Sequence, residues 1–493
     1  MVFLNAIGRR QQFLTSYKRL PNIVHIPARP YIGAAVAVVV GSTITLYALK
    51  AYQRMQAEEL SNLKKRQTSD ASDVAEDSSP QTAKMSSSYL GLDLGSTFSK
   101  IGHLDTTNKG VGAVLLQNAE GRRAVPCCVY RLPDGTFSVG QLARSARYMK
   151  PQSTAFSPAL LLGKSLVQSA DSECFAAVQK ATARLPFKLS KGGISMEQQT
   201  VPISTLLELV AADMVKVVTD IGIKGDGNRG IPSVVMSYPS FFSVDACAAL
   251  ESSVSRAGMQ TVDLIPDAVS AYIGALESGE KAPGREAALA GNTVSVAVLD
   301  VGGRLLQAGL LLVSHNPSAP SGLKVQLINE RTSFDVGGEF VDEAIATHFA
   351  SKFKDKHGVD LLIDPQAKQR IFDAAESAKI DLSRNKQTTV NIPYITATPK
   401  GTLHLDQTLT RAQLQSLLED QESKAAKTLQ ALLFDTSNTS SAPLAGVLLA
   451  GGSSRMQFAR AAVEKVTGMV PVETREPEAL IATGAAAYAK YKH

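Results

Sequence analysis

Apolar and polar positions alternate along the 493-residue chain in a few recurrent patterns. The apolar run YLGLDL (89–94) meets a glycine turn and then a second alternating run, TFSKIGHLD. The arrangement returns as VAVLDVGG (296–303) followed by RLLQAGLLLV. Run, tight turn and run predict a β-hairpin each time. Asp93 and Gly95 are followed by Gly102, and Asp300 and Gly302 by Gly309, so the Asp-to-Gly spacing is nine in both copies. A repeated hairpin points to a duplicated unit. Further on, STLLELVAADMVKVVTDIG has helical periodicity and IPSVVMSYP reads as a strand. VLLA (447–450) is a strand that enters Gly451-Gly452 and opens a helix, MQFARAAVEKVTG. A last helix is predicted from Glu478 to Lys492, with small residues at 482–486 that let it pack closely on a neighbour.

The N-terminus follows another pattern. Residues 31–49 are uncharged and apolar all round, between Arg29 and Lys50. These nineteen residues, at about 1.5 Å each, match the ~30 Å of a bilayer core, so a single transmembrane helix is predicted. Residues 1–30 carry five Arg or Lys and no acid, as a mitochondrial targeting segment does. The inner mitochondrial membrane is the expected destination, with the endoplasmic reticulum membrane as the alternative. Residues 50–88 start charged and end rich in Ser, Thr and Asp, which predicts a flexible stalk. The folded body is expected at 89–490.

Composition changes this picture in two respects. Hydrophobic residues make up 44% and charged residues 19%, which excludes a disordered chain or a coiled-coil rod. The net charge of +6 is misleading, because ten of the 51 Lys and Arg but only two of the 45 acids lie within residues 1–66. The body is near neutral, which argues against a nucleic-acid partner. Cys127, Cys128, Cys174 and Cys247 form no Cys-x-x-Cys pair, and the seven histidines are scattered, so neither a zinc site nor a Ser-His-Asp arrangement is readable. The G-x-G-x-x-G at 225–230 follows a helix and precedes a strand, the reverse of a dinucleotide site. Gly163-Lys164-Ser165 fails as a P-loop because position 158 is proline.

The hairpins carry the candidate chemistry. Glycine lets backbone N–H groups approach a phosphate. An aspartate at a strand end holds a hydrated Mg²⁺ through its waters. Two such hairpins imply a nucleotide in the cleft between two halves, and the Gly-Gly turn at 451–452 offers room for a flat nucleoside.

Several stretches together resemble the nucleotide-binding domain of the DnaK-type heat-shock chaperones, in the actin, hexokinase and chaperone ATPase superfamily. They are GLDLGST (91–97), QNAEG (117–121), LDVGG (299–303), DVGGE (335–339) with Asp342, ESAK (376–379) with Ser383, AGGSSR (450–455) and EPE (476–478) with ATGAA (482–486). The resemblance implies a two-lobed α/β actin-like ATPase domain, lobe I at 89–290 plus 474–493 and lobe II at 291–473, with ATP or ADP and Mg²⁺ in the cleft. By the same resemblance, Gly95, Ser96, Thr97 and Phe98 form the first phosphate loop, and Gly302 and Gly303 the second. Asp93 and Asp300 hold the hydrated Mg²⁺, and Asp300 orients the attacking water. Asp267, in LIPDAVSAY, matches the family's acidic linker residue. Gly338 and Glu339 approach the phosphates. Glu376, Lys379 and Ser383 bind ribose and adenine. Gly451, Gly452, Ser453, Arg455 and Glu478 make the opposite wall. The family's peptide-binding domain is not expected, which makes the chain similar to the truncated stress-seventy core proteins.

The departures from the family pattern are informative. Ala159 stands where the family has a cleft lysine, and losing such a charge commonly costs several kcal/mol of barrier. Arg304, Leu305 and Gln307 replace a glycine, a threonine and an aspartate of the second loop. Cys247 replaces a relay arginine, and Ile380 an arginine that stacks on adenine. Lys164 or Arg304 would be the cation able to compensate, unless Lys164 is an ordinary surface lysine and Arg304 fills a vacated pocket. Two functions are expected from this pattern. One is a membrane-anchored nucleotide-binding protein with weak or no ATP hydrolysis, acting through lobe movement on a protein partner. The other is a non-enzymatic adaptor subunit of a membrane complex that keeps only the fold.

Overall fold

The computed structural model describes residues 88–105, 112–166, 188–190, 193–197, 199–223, 233–399, 401–435 and 442–491. All of them belong to the second of two units, Met85–His493. The predicted leader, membrane helix and nearly all of the stalk lie outside the described residues. Among the described residues, no helix is long and apolar enough to cross a membrane.

The first predicted hairpin forms strands β1 (Ser88–Leu94) and β2 (Phe98–Asp105). β1 pairs in parallel with β3 (Ser233–Tyr238), and β3 with β4 (Gln260–Pro266). The strand expected within IPSVVMSYP is β3. Helix Ile203–Asp220 precedes it, so G-x-G-x-x-G sits between a helix and a strand, although residues 225–230 themselves are not described. The second hairpin forms β5 (Val294–Val301) and β6 (Leu306–His315), flanked by β7 (Leu323–Ser333) and β8 (Leu444–Ala450) in the order β7-β6-β5-β8. All eight residues of β5 are buried. A strand covered on both faces reads as a continuous apolar run, as VSVAVLDV does. The described residues form five sheets, and the two that hold the predicted hairpins, with helices packed against them, fit the mixed α/β architecture of an actin-like ATPase domain.

The helices follow from local chemistry. In α1 (Asp267–Glu277), Asp267 supplies an acid to the first turn, where the helix dipole favours it. α2 is Gly338–His357 and ends at Gly358 in the left-handed conformation. α3 (Pro365–Arg384) starts at Asp364, whose side chain accepts from Gln366 and Ala367 N–H, with proline at its first position. The last helix, α4 (Leu480–Ala487), is shorter than the predicted 478–492 and passes into a 3₁₀ turn at Tyr488–Lys490. It is buried along its whole length. Its small residues let it lie directly on backbone: a Cβ at Gly484 would be 1.8 Å from the Ser270 carbonyl oxygen, and one at Gly102 would be 2.1 Å from that of Ala482. This contact ties α4 to the first hairpin and to α1. Gly163-Lys164-Ser165 lies inside helix Pro158–Leu166, not on a phosphate loop.

Candidate functional site

The site grows from the cross-strand register of the two hairpins. In β1–β2, Asp93 faces Lys100; in β5–β6, Asp300 faces Gln307. Both aspartates are buried at 5% exposure. Their turns meet, since a Cβ at Gly303 would lie 1.9 Å from Thr97 Oγ1. Gly451 follows β8 with φ 79°, and a Cβ there would stand 2.3 Å from Asp300 Oδ1. Only glycine closes that turn over the carboxylate.

These elements enclose a cavity of about 720 Å³, within the usual size of a small-molecule site. Every residue assigned above to metal, phosphate, nucleoside or catalysis lines it: Asp93, Gly95–Phe98, Asp267, Asp300, Gly302, Gly303, Gly338, Glu339, Glu376, Lys379, Ser383, Gly451–Ser453, Arg455 and Glu478. The replaced positions Ala159, Leu305, Gln307 and Ile380 line it too.

One end of the cavity is rich in carboxylates. Lys100 Nζ donates to Asp93 Oδ2 at 2.7 Å. Burial opposes the Lys100 charge, but Asp93 and Asp300 outweigh it and hold the ammonium above its usual range. Burial and the nearby Asp93 push Asp300 up to about 7. Burial and Asp93 push Asp267 up to about 8, although Gln307 Nε2 donates to its Oδ2 at 2.9 Å. Carboxyls raised in this way are short of positive charge. Among the described residues, no three His, Cys, Asp or Glu side chains converge to ligate a metal directly. Asp93 and Asp300, both buried and lining the cavity, fit a hydrated Mg²⁺ held through water, with the Lys100 ammonium already on one of the two carboxylates. Such an ion, when bound, would screen the phosphates from these acids.

A second charged cluster lies behind the phosphate turns. Glu339 accepts from Thr97 Oγ1 at 2.9 Å, and its other oxygen pairs with Arg304 at 2.7 Å and Arg147 at 3.3 Å. Burial would raise its carboxyl, but Arg304, Arg147 and Thr97 overcome this and hold it at about 2. The Arg304 guanidinium also stands 4.8 Å from the Phe156 ring centre. Arg304 does not line the cavity. Of the two expectations for it, compensating cation or pocket filler, the structure selects the filler, because a buried carboxylate draws it away. The Lys164 side chain lies outside the described set. Glu339 and Gly338 line the cavity, but their N–H groups are spent on the carbonyls of Gly303 and Gly302. These bonds brace the second turn against the start of α2, with both residues on the cavity wall. Leu305 and Leu160 pack with Phe334 in a small apolar cluster, the physical consequence of losing the threonine at 305.

The opposite end carries the nucleoside candidates. Arg455 forks onto Glu478, with contacts of 2.8 to 3.2 Å. Lys379 pairs with Asp342 at 2.8 Å, and Glu376 with Arg144 at 2.6 Å. Ser383 Oγ donates to its own helix at the Ile380 carbonyl, so its hydroxyl hydrogen is not directed at the cavity. Ile380 is exposed at 51%, in keeping with loss of a stacking arginine. Cys247, half-buried on helix Val244–Arg256, is absent from the cavity wall. Sequence reasoning missed Lys100 and Arg144. Counting seven positions from the hairpin aspartate identifies Lys100; only the tertiary pairing with Glu376 identifies Arg144.

Comparison with known proteins supplies the family. The model of a family described as "Hsp70 protein" matches residues 89–492. The chain is 31% identical over 406 residues to "Chaperone protein DnaK" of Thermus thermophilus, covering 80% of this chain and 60% of that protein. It is 29% identical to "Chaperone protein DnaK" of Prochlorococcus marinus, covering 80% of this chain and 58% of the relative. It is 27% identical to "Stromal 70 kDa heat shock-related protein, chloroplastic" of Pisum sativum, over 82% of this chain and 53% of the relative. The match thus spans little more than half the length of these relatives.

Proposed function

This chain belongs to the Hsp70 family, and we propose that it is an ATP- or ADP-binding protein with weak or absent ATP hydrolysis, acting on a protein partner through opening and closing of its two lobes. The observation that carries the reading is the convergence on one cavity of both hairpin turns, both Mg²⁺-type aspartates and both nucleoside walls. Weak hydrolysis is argued from Ala159, a buried methyl group where a charge would stabilise the transferring phosphate. The partner would read lobe position, because Thr97–Glu339, Arg147–Glu339 and Arg144–Glu376 join residues of the two halves. These same links favour the second reading, an adaptor that needs no nucleotide to stay closed.

The chain is further proposed to be anchored by residues 31–49 in a membrane. The inner mitochondrial membrane is favoured by the acid-poor leader, and the endoplasmic reticulum is the alternative. Alkaline carbonate should leave the full-length protein in the membrane pellet; complete extraction would remove the anchor from the proposal. Nucleotide binding is tested by melting the protein with and without Mg²⁺-ADP. A ligand at a hundredfold its dissociation constant stabilises by about 2.7 kcal/mol, so a rise of several degrees is expected. An unchanged melting temperature at millimolar ADP and ATP would favour the adaptor.

A further inference from the structure

We propose that Lys100 is the phosphate-binding cation of this cleft, and that it makes nucleotide binding largely independent of a divalent metal. The inference rests on the nucleotide-binding reading above and adds to it a residue that was not among the expected site residues.

The argument begins with register. Lys100 lies opposite Asp93 in the first hairpin, while the same position of the second hairpin, opposite Asp300, holds Gln307. The duplicated floor is therefore asymmetric, with one ammonium against its carboxylates. Lys100 Nζ is 2.7 Å from Asp93 Oδ2, and its side chain is 14% exposed, lining the cavity. Asp300 and Asp267 line the same cavity. A nucleotide entering with its phosphates would meet these three acidic side chains, and any negative charge they carry opposes an unscreened approach. With Lys100 in place, Asp93 is already neutralised and a cation faces the space that phosphate oxygens would enter.

Four other cations close to the two phosphate turns are paired with acids. Arg304 and Arg147 are bound to Glu339, Arg144 to Glu376, and Lys379 to Asp342. Position 159 offers only a methyl group. Lysine suits the task, since its ammonium is a compact charge on a flexible stem with three donors, one held by Asp93 and others able to meet a phosphate oxygen. The expected effect is a charge-assisted hydrogen bond to phosphate, which corresponds to roughly tenfold to a hundredfold in affinity.

The test is titration of a fluorescent ADP analogue into the purified full-length chain, with Mg²⁺ and with EDTA, for the wild type, Lys100→Met and Lys100→Arg. Urea unfolding of each variant checks that it folds. The wild type should bind with dissociation constants within about tenfold of each other in the two media. Lys100→Met should lose at least tenfold more affinity in EDTA than in Mg²⁺, and Lys100→Arg should retain metal-free binding. Wild-type binding that is abolished by EDTA overturns the inference and leaves the nucleotide-binding reading intact. Equal losses for Lys100→Met in both media also overturn it, since a merely structural role would produce that result. Absence of wild-type binding in both media overturns the nucleotide-binding reading itself, and the inference with it.

Discussion

Replacing Glu339 by alanine removes the anion that holds three groups together. Its carboxylate is surrounded by Thr97 Oγ1, Arg304 and Arg147, and the two guanidinium side chains are only 11% and 7% exposed. Truncation leaves two buried cations facing each other, and breaking a buried pair in this way costs about 3–5 kcal/mol. The lowered carboxyl leads to a similar figure. The carboxyl sits at about 2 against an ordinary 4.5, a displacement worth about 3 kcal/mol. The sign follows from the depressed value: this stability is present above pH 4.5 and is lost as pH falls through about 2. The assay is urea unfolding of wild type, Glu339→Ala and Glu339→Ala/Arg304→Ala. The single variant should lose about 3 kcal/mol or more at pH 7, and the double variant should recover part of it, because one orphaned cation is gone. On the proposed lobe division Thr97 and Arg147 lie on the first half and Glu339 on the second, so the single variant should also become more sensitive to protease at the cleft. A loss below about 1 kcal/mol would refute the claim that this cluster bridges the halves.

Other substitutions test other parts of the account. Gly484→Ala drives a methyl group against the Ser270 carbonyl at 1.8 Å, so it should cost about 3 kcal/mol or more, read as a large fall in melting temperature. Asp267 is held at about 8, far above its unfolded value, so its contribution to stability falls as pH rises from about 4 to about 8. Asp267→Asn should therefore be progressively more stable than wild type over that window, with the two converging near pH 4 in a series of thermal melts. Ala159→Lys restores a charge beside the phosphate turns and should raise phosphate release from ATP by tenfold or more; an unchanged rate would place the catalytic defect elsewhere.

Some of this was legible from residue order and some was not. The two hairpins were readable because each step is local: an aspartate ends a strand, a glycine makes the turn, and the spacing repeats. Their convergence on one cavity followed from the duplication. The fate of Arg304 was not readable, because its direction is set by Glu339, 35 residues onward in sequence and bonded to it only in three dimensions. The compensating cation was sought at Lys164 and Arg304, whereas the one proposed, Lys100, is placed opposite Asp93 by the register of the first hairpin. The end of the last helix was overestimated because no glycine or proline marks a stop between Tyr488 and Lys492, whereas the backbone tightens into a 3₁₀ turn at Tyr488–Lys490.

The central claim is that the cleft binds adenine nucleotide. Calorimetric titration of ATP and of ADP, with Mg²⁺, into the purified full-length chain tests it most directly. The account predicts a single site of micromolar affinity, about −8 kcal/mol. No heat of binding at millimolar nucleotide would contradict it and leave an Hsp70 fold acting as a scaffold.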